Sequence, residues 1–140
     1  METISESAEK TRSIAKKLAK DLKPGDVLCL YGDLGTGKTK FIQGLAQALG
    51  IKKRILSPSF VLVREYPLKS GKFLHVDLFR LEKVEAPGQW WLLEFFQKKS
   101  DIIAIEWADR ARYFLPKNRI EVRFSYVSKN ERKINIGRSH

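Results

Sequence analysis

Residues 32–39 read GDLGTGKT, between the apolar run VLCLY (27–31) and the segment KFIQGLAQALG (40–50). Gly32 and Gly37, followed by Lys38 and Thr39, give the spacing G-x-x-x-x-G-K-[ST], the pattern of a phosphate-binding loop, or P-loop. Glycines allow a tight turn whose backbone N–H groups converge on an anion. A helix starting after the loop adds the positive end of its dipole. Lys38 can reach β- and γ-phosphate oxygens, and the Thr39 hydroxyl can ligate Mg²⁺, which strongly prefers oxygen. At average residue frequencies a window matches this pattern about once in 25,000. The nucleotide-holding stretch is therefore expected to comprise Gly32, Asp33, Leu34, Gly35, Thr36, Gly37, Lys38, Thr39 and Lys40.

Holding phosphate is not hydrolysing it, which also needs a carboxylate near the metal and an oriented water. Glu106 ends the apolar run IIAIE, and ligands of open α/β sheets gather at the carboxyl ends of strands. It is expected either in the metal shell or orienting water, against the alternative of a purely structural acid. Asp77 lies in HVDLFR, where alternation puts Phe73, His75, Asp77 and Phe79 on one face. It faces the site or pairs with Arg80. His75 suits hydrogen-bonding support better than direct chemistry. Ser59, in the loop SPSF (57–60), is placed to sense γ-phosphate through Mg²⁺ as switch loops do. Trp107, beside Glu106, suits packing better than recognition.

These side chains need a scaffold, and the chain supplies signals for one. Thr3 and Glu6 have capping-box spacing, and Ala8, Ala15, Leu18 and Leu22 recur at helical intervals up to the breaker KPGD. VLCLY reads as a buried strand. A second helix starts at Lys38, presents Phe41, Ile42, Leu45 and Leu49, and stops at Gly50. VLVREY and FLHVDLF flank PLKSGK as a hairpin, QWWLLEFFQKK (89–99) reads as a short helix, and DIIAIEW as a buried strand. RIEVRFSY and RKINI form a closing hairpin. The whole predicts one domain over 1–140: an α/β fold whose central, partly parallel sheet is flanked by helices and carries antiparallel edge hairpins.

Composition narrows the function classes. There are 27 Lys and Arg against 16 Asp and Glu, a net charge of +11, which favours an anionic partner such as nucleotide or RNA. Residues 117–140 concentrate this excess, so contact with RNA or an acidic protein surface through the basic C-terminal region is a candidate. The single cysteine, Cys29, lies in an apolar run and is expected to be buried and inert. Apolar runs are too short for a membrane span, and the polar N-terminus lacks the apolar centre of a secretory signal. A cytoplasmic protein without membrane contact is expected. One cysteine and two histidines disfavour a zinc centre. No N-K-x-D accompanies the loop, as guanine recognition of the Ras type would require, and a small-molecule kinase would need a lid and an acceptor pocket.

GDLGTGKT, SPSFVLV, HVDLFRL and IEW, in that order, resemble the TsaE (YjeE) family of small bacterial P-loop ATPases, and the likeness spans nearly the whole chain. The resemblance implies an ATPase, using ATP and Mg²⁺, that supports a TsaD/TsaB-type transferase complex in threonylcarbamoyladenosine (t6A) modification of tRNA. It implies that Lys38 and Thr39 hold phosphate and Mg²⁺, that Glu106 is the Walker-B-like carboxylate near the metal, and that Asp77 is a second essential acid. Ser59 would fall in the switch-like loop, and Trp107 beside the site. The catalytic set so implied is Lys38, Asp77 and Glu106. An alternative of another class is a nucleotide-gated module that docks protein or tRNA without hydrolysis. Ser59 stands where the family has Thr, Phe79 where it has Tyr, and EAPGQWWLLEFF, with Trp90 and Trp91, departs from the acidic, leucine-rich helix of the family pattern.

Overall fold

The computed structural model describes residues 1–33, 35–52, 63–79, 94, 96–111 and 113–139. Within them the elements run β1 (Glu2–Ser5), α1 (Ala8–Ala19), β2 (Val27–Tyr31), α2 (Lys38–Ala48), β3 (Val63–Pro67), β4 (Lys72–Asp77), β5 (Ile102–Glu106), β6 (Arg119–Tyr126) and β7 (Arg132–Ser139). A 3₁₀ turn at Ala108–Ala111 follows β5.

The strands form one sheet ordered β1-β7-β6-β2-β5-β4-β3. β2 pairs in parallel with β5 and β6, and β5 in parallel with β4. The outer pairs β1–β7, β6–β7 and β3–β4 are antiparallel. This is the expected α/β architecture, with a parallel centre and hairpins at its margins. VLCLY reads as an unbroken apolar run because β2 is covered on both faces; Val27, Leu28, Cys29 and Leu30 are all buried.

One face packs under α1 and α2. Its core joins Leu28, Leu30, Ala104, Ile120 and Val122 of the sheet to Ile14, Phe41, Ile42 and Leu45 of the helices. The opposite face gathers Cys29, Leu74, Val76, Ile103 and Ile105 against Ala108, Ala111, Phe114 and Leu115. Alternation along β4 thus holds, with Phe73 and Leu74 in different clusters. Phe79 lies past the strand end and is exposed.

The N-terminus corrects one expectation. Thr3 does not cap α1 but pairs with Ile134 inside β1, and Met1 donates its amino group to the Ile136 carbonyl at 2.8 Å. The cap is Ser7, extended at φ −157°, whose hydroxyl accepts from the Lys10 backbone N–H at 3.1 Å. An available edge on β7 outweighs a local capping box, because pairing satisfies a row of backbone groups and the box only two. The C-terminal stop of α2 is as expected: Gly50, at φ +88°, follows the cap residue Leu49. The helix expected at 89–99 falls mostly outside the described residues. Leu34, Ser57, Ser59, Arg80, Trp90 and Trp91 lie outside them entirely.

Candidate active site

The loop leaves the C-terminal end of β2 and enters α2 directly. Gly32, at φ +151°, is tightly enclosed: a Cβ there would stand 2.9 Å from both the Phe124 carbonyl oxygen and the Thr36 hydroxyl. The Thr36 hydroxyl, itself buried, donates to the Asp33 carbonyl at 2.6 Å and closes the bend. Gly37 starts α2 at φ +105°, with no side-chain cap on the first turn. The free N–H groups of that turn and the helix dipole therefore remain available to an anion. Thr39 sits in the same turn, half-buried, and Lys40 is exposed.

Lys38 is only 5% exposed although it carries an ammonium. Its Nζ donates to the Gly32 carbonyl and stands 3.8 Å from the centroid of the Trp107 ring. Burial lowers its pKa from the ordinary lysine value, opposed by the negative charges of Glu106, Asp77, Asp109 and Asp33. The ammonium is thus held out of water with acids arranged around it.

Those acids come from adjacent strands. Asp77 and Glu106 are register partners at the ends of β4 and β5, and both are buried. Burial raises the Asp77 pKa; Glu106 adds to the rise, while the Phe79 backbone N–H, donating at 2.9 Å, and the Lys38 charge oppose it. Glu106 meets His75 Nε2 at 2.6 Å, and His75 is fully buried. After Glu106 the chain turns through Trp107 at φ +57°, a left-handed conformation costing a non-glycine residue about 1–3 kcal/mol. That turn lays the indole against the Lys38 ammonium and 5.1 Å from the Phe79 ring.

The described residues of the expected set therefore converge at the carboxyl ends of β2, β4 and β5. Sequence reasoning had Trp107 beside the site but missed its cation–π contact, which depends on a backbone turn no pattern reports. It also missed a cavity of about 310 Å³ behind the loop, lined by Ser5, Thr11, Thr36, Lys40, Asn130 and Arg132 among others. No contiguous signal marks it, because β1, α1, the loop and the β6–β7 turn each supply a piece. Among the described residues no group of three or more His, Cys, Asp and Glu could hold a metal. A Mg²⁺ here would rely on the Thr39 hydroxyl, a strand-end carboxylate, water and phosphate, which is usual for this ion.

A model of the family described as "Threonylcarbamoyl adenosine biosynthesis protein TsaE" matches residues 5–134. The chain belongs to the TsaE family. Among curated TsaE relatives, each named a tRNA threonylcarbamoyladenosine biosynthesis protein, that of Bacillus subtilis is 37% identical over 126 residues, spanning 90% of this chain and 78% of its own. That of Aquifex aeolicus is 37% identical over 139 residues, spanning 98% and 96%. The crystal structure of YdiB from Bacillus subtilis superposes with a TM-score of 0.82 at 30% identity, covering all of this chain and 86% of that one. The fold is that of a TsaE P-loop protein, and the family's named role is in t6A biosynthesis. No helix of the described residues is long and apolar enough to cross a membrane.

Proposed function

We propose that this chain binds Mg·ATP on loop 32–39 and hydrolyses it, as the ATPase of the tRNA t6A machinery. The observation carrying this reading is the buried Lys38 ammonium, docked on the loop's own Gly32 carbonyl and facing Asp77 and Glu106. Such a charge is costly unless a stronger anion replaces its weak partner. The γ- and β-phosphates draw Lys38 off the carbonyl, and the amides of residues 35–39 receive the remaining phosphate oxygens. Thr39 and Glu106 would hold Mg²⁺, which when bound would neutralise charge developing on the phosphates. Asp77, whose burial raises its pKa, would accept a hydrogen bond from the attacking water. The nucleoside extends into the 310 Å³ cavity, where Ser5, Thr11 and Asn130 offer polar contacts. Trp107 holds the Lys38 ammonium at the site entrance, and Ser59 responds to the γ-phosphate.

The constellation of loop 32–39, Lys38, Asp77 and Glu106 itself includes no arginine, so in this reading hydrolysis is slow alone and is completed by a TsaD/TsaB-type complex. Phosphate release with and without that complex tests this dependence, and equal rates refute it. Glu106→Gln should retain ATP binding and abolish both turnover and t6A formation; t6A formation at the natural rate would instead favour the nucleotide-gated docking module. Contact between tRNA and the basic C-terminal hairpin belongs to the same proposal. It requires affinity that falls steeply with salt.

A further inference from the structure

Two buried side-chain nitrogens lack a hydrogen-bond partner among the described residues: His75 Nδ1 and Arg64 Nε. They belong to register partners on β4 and β3, so both side chains stand on the same face of the sheet. The other ring nitrogen of His75, Nε2, lies 2.6 Å from Glu106 Oε2 on the far side. His75 reaches Glu106 diagonally, because its own partner on β5 is Ala104, whose side chain is only a methyl group.

We propose that Arg64 and His75 are positioning residues, joined in a hydrogen-bond chain across β3, β4 and β5 that orients the Glu106 carboxylate. Nε2 carries the imidazole proton and donates it to Glu106, which accepts. Nδ1 then offers a lone pair, and Arg64 Nε–H is a donor without an acceptor; the two orphaned atoms are complementary. Rotation of the Arg64 side chain, or a bridging water, would join them. With Nδ1 satisfied as an acceptor, the ring has one tautomer and one orientation, and the carboxylate at its other end is fixed. This is how outer partners hold a ligating or catalytic group elsewhere. The hydrogen-bond chain stands on geometry alone; its consequence for turnover rests on the ATPase reading above.

The test uses the two nitrogens directly. The sequence has two histidines, so H140Q leaves one imidazole. Long-range ¹H–¹⁵N correlation of the labelled H140Q protein should show a protonated Nε2 and a hydrogen-bonded, pyridine-type Nδ1. Arg64→Met, similar in shape but without the donor, should move the Nδ1 resonance to the unbonded pyridine-type position. It should also lower kcat for ATP roughly tenfold, with KM unchanged. Arg64→Gln places an amide nitrogen where arginine has Nε and should restore both the resonance and kcat. An Nδ1 resonance identical in the natural and Arg64→Met proteins, or a proton found on Nδ1, would overturn the proposal. Absence of any ATP turnover would sink the ATPase reading, while the nitrogen spectra would still decide the hydrogen-bond chain.

Discussion

Replacing Lys38 by methionine separates what this lysine does for the ligand-free protein from what it does for the nucleotide. In the ligand-free state its ammonium gains a charged hydrogen bond to the Gly32 carbonyl, worth about 1.5–3 kcal/mol, and a contact with Trp107 worth up to about 2 kcal/mol. Against this, and against the attraction of Glu106 and Asp77, stands the cost of burying the ammonium to 5% exposure, several kcal/mol by the usual measure of buried ions, and its pKa is still lowered on balance. The terms are of equal size, and methionine keeps most of the apolar stem. Lys38→Met should therefore change the unfolding free energy of the ligand-free protein by less than about 1 kcal/mol. Nucleotide reverses the balance. At 100 times its Kd, Mg·ATP stabilises the natural protein by about 2.7 kcal/mol. Losing the cation opposite phosphate costs at least about 100-fold in affinity, which leaves the variant about 0.4 kcal/mol at the same concentration. Urea unfolding with and without Mg·ATP reads all four values. A ligand-free loss above about 2 kcal/mol, or nucleotide stabilisation equal to that of the natural protein, would refute this reasoning.

Other consequences are equally open to measurement. Gly44→Ala should destabilise the fold by about 1–2 kcal/mol in urea, although alanine gains about 1 kcal/mol in helix propensity. Its Cβ would stand 2.5 Å from the Arg12 carbonyl oxygen and 2.8 Å from Arg12 Cα, backbone atoms that can yield only if α1 moves. Burial pushes the Cys29 thiol up to about 12, so a thiol reagent at pH 8 should label only unfolded protein. The neutral thiol's stabilisation is complete below its unfolded value near 9.0 and is lost as pH rises towards 12; Cys29→Ala should flatten that alkaline loss of stability. Asp77, raised mainly by burial, contributes its stabilisation below 3.8 and loses it as pH rises through its folded pKa. Asp77→Asn should therefore melt at a higher temperature than the natural protein at neutral pH, lose that advantage below pH 3.8, and fail to turn over ATP.

Much of this arrangement was legible in the chain because burial and spacing are local. β2 reads as an apolar run since both its faces are covered, and the loop reads from fixed positions between strand and helix. Glu106 reads as a site residue because an acid ends an otherwise apolar central strand. What was not legible depends on pairing between distant segments. β1 forms only because β7 offers an edge, so Thr3 and Glu6 looked like a cap. The His75–Glu106 contact is diagonal across two strands and needs their register. The cavity behind the loop needs the β6–β7 turn beside the start of α1, and the Trp107–Lys38 contact needs a positive φ at a tryptophan.

The central claim is that loop 32–39, Lys38 and Thr39 grip the triphosphate of Mg·ATP. Isothermal titration calorimetry of the folded protein tests it most directly. Saturable binding of ATP and ADP is predicted, strengthened by Mg²⁺, lost on chelation for the metal-dependent part, and weakened at least about 100-fold by Lys38→Met. A folded protein that takes up neither nucleotide in the presence of Mg²⁺, alone or with the TsaD/TsaB-type complex, would contradict it.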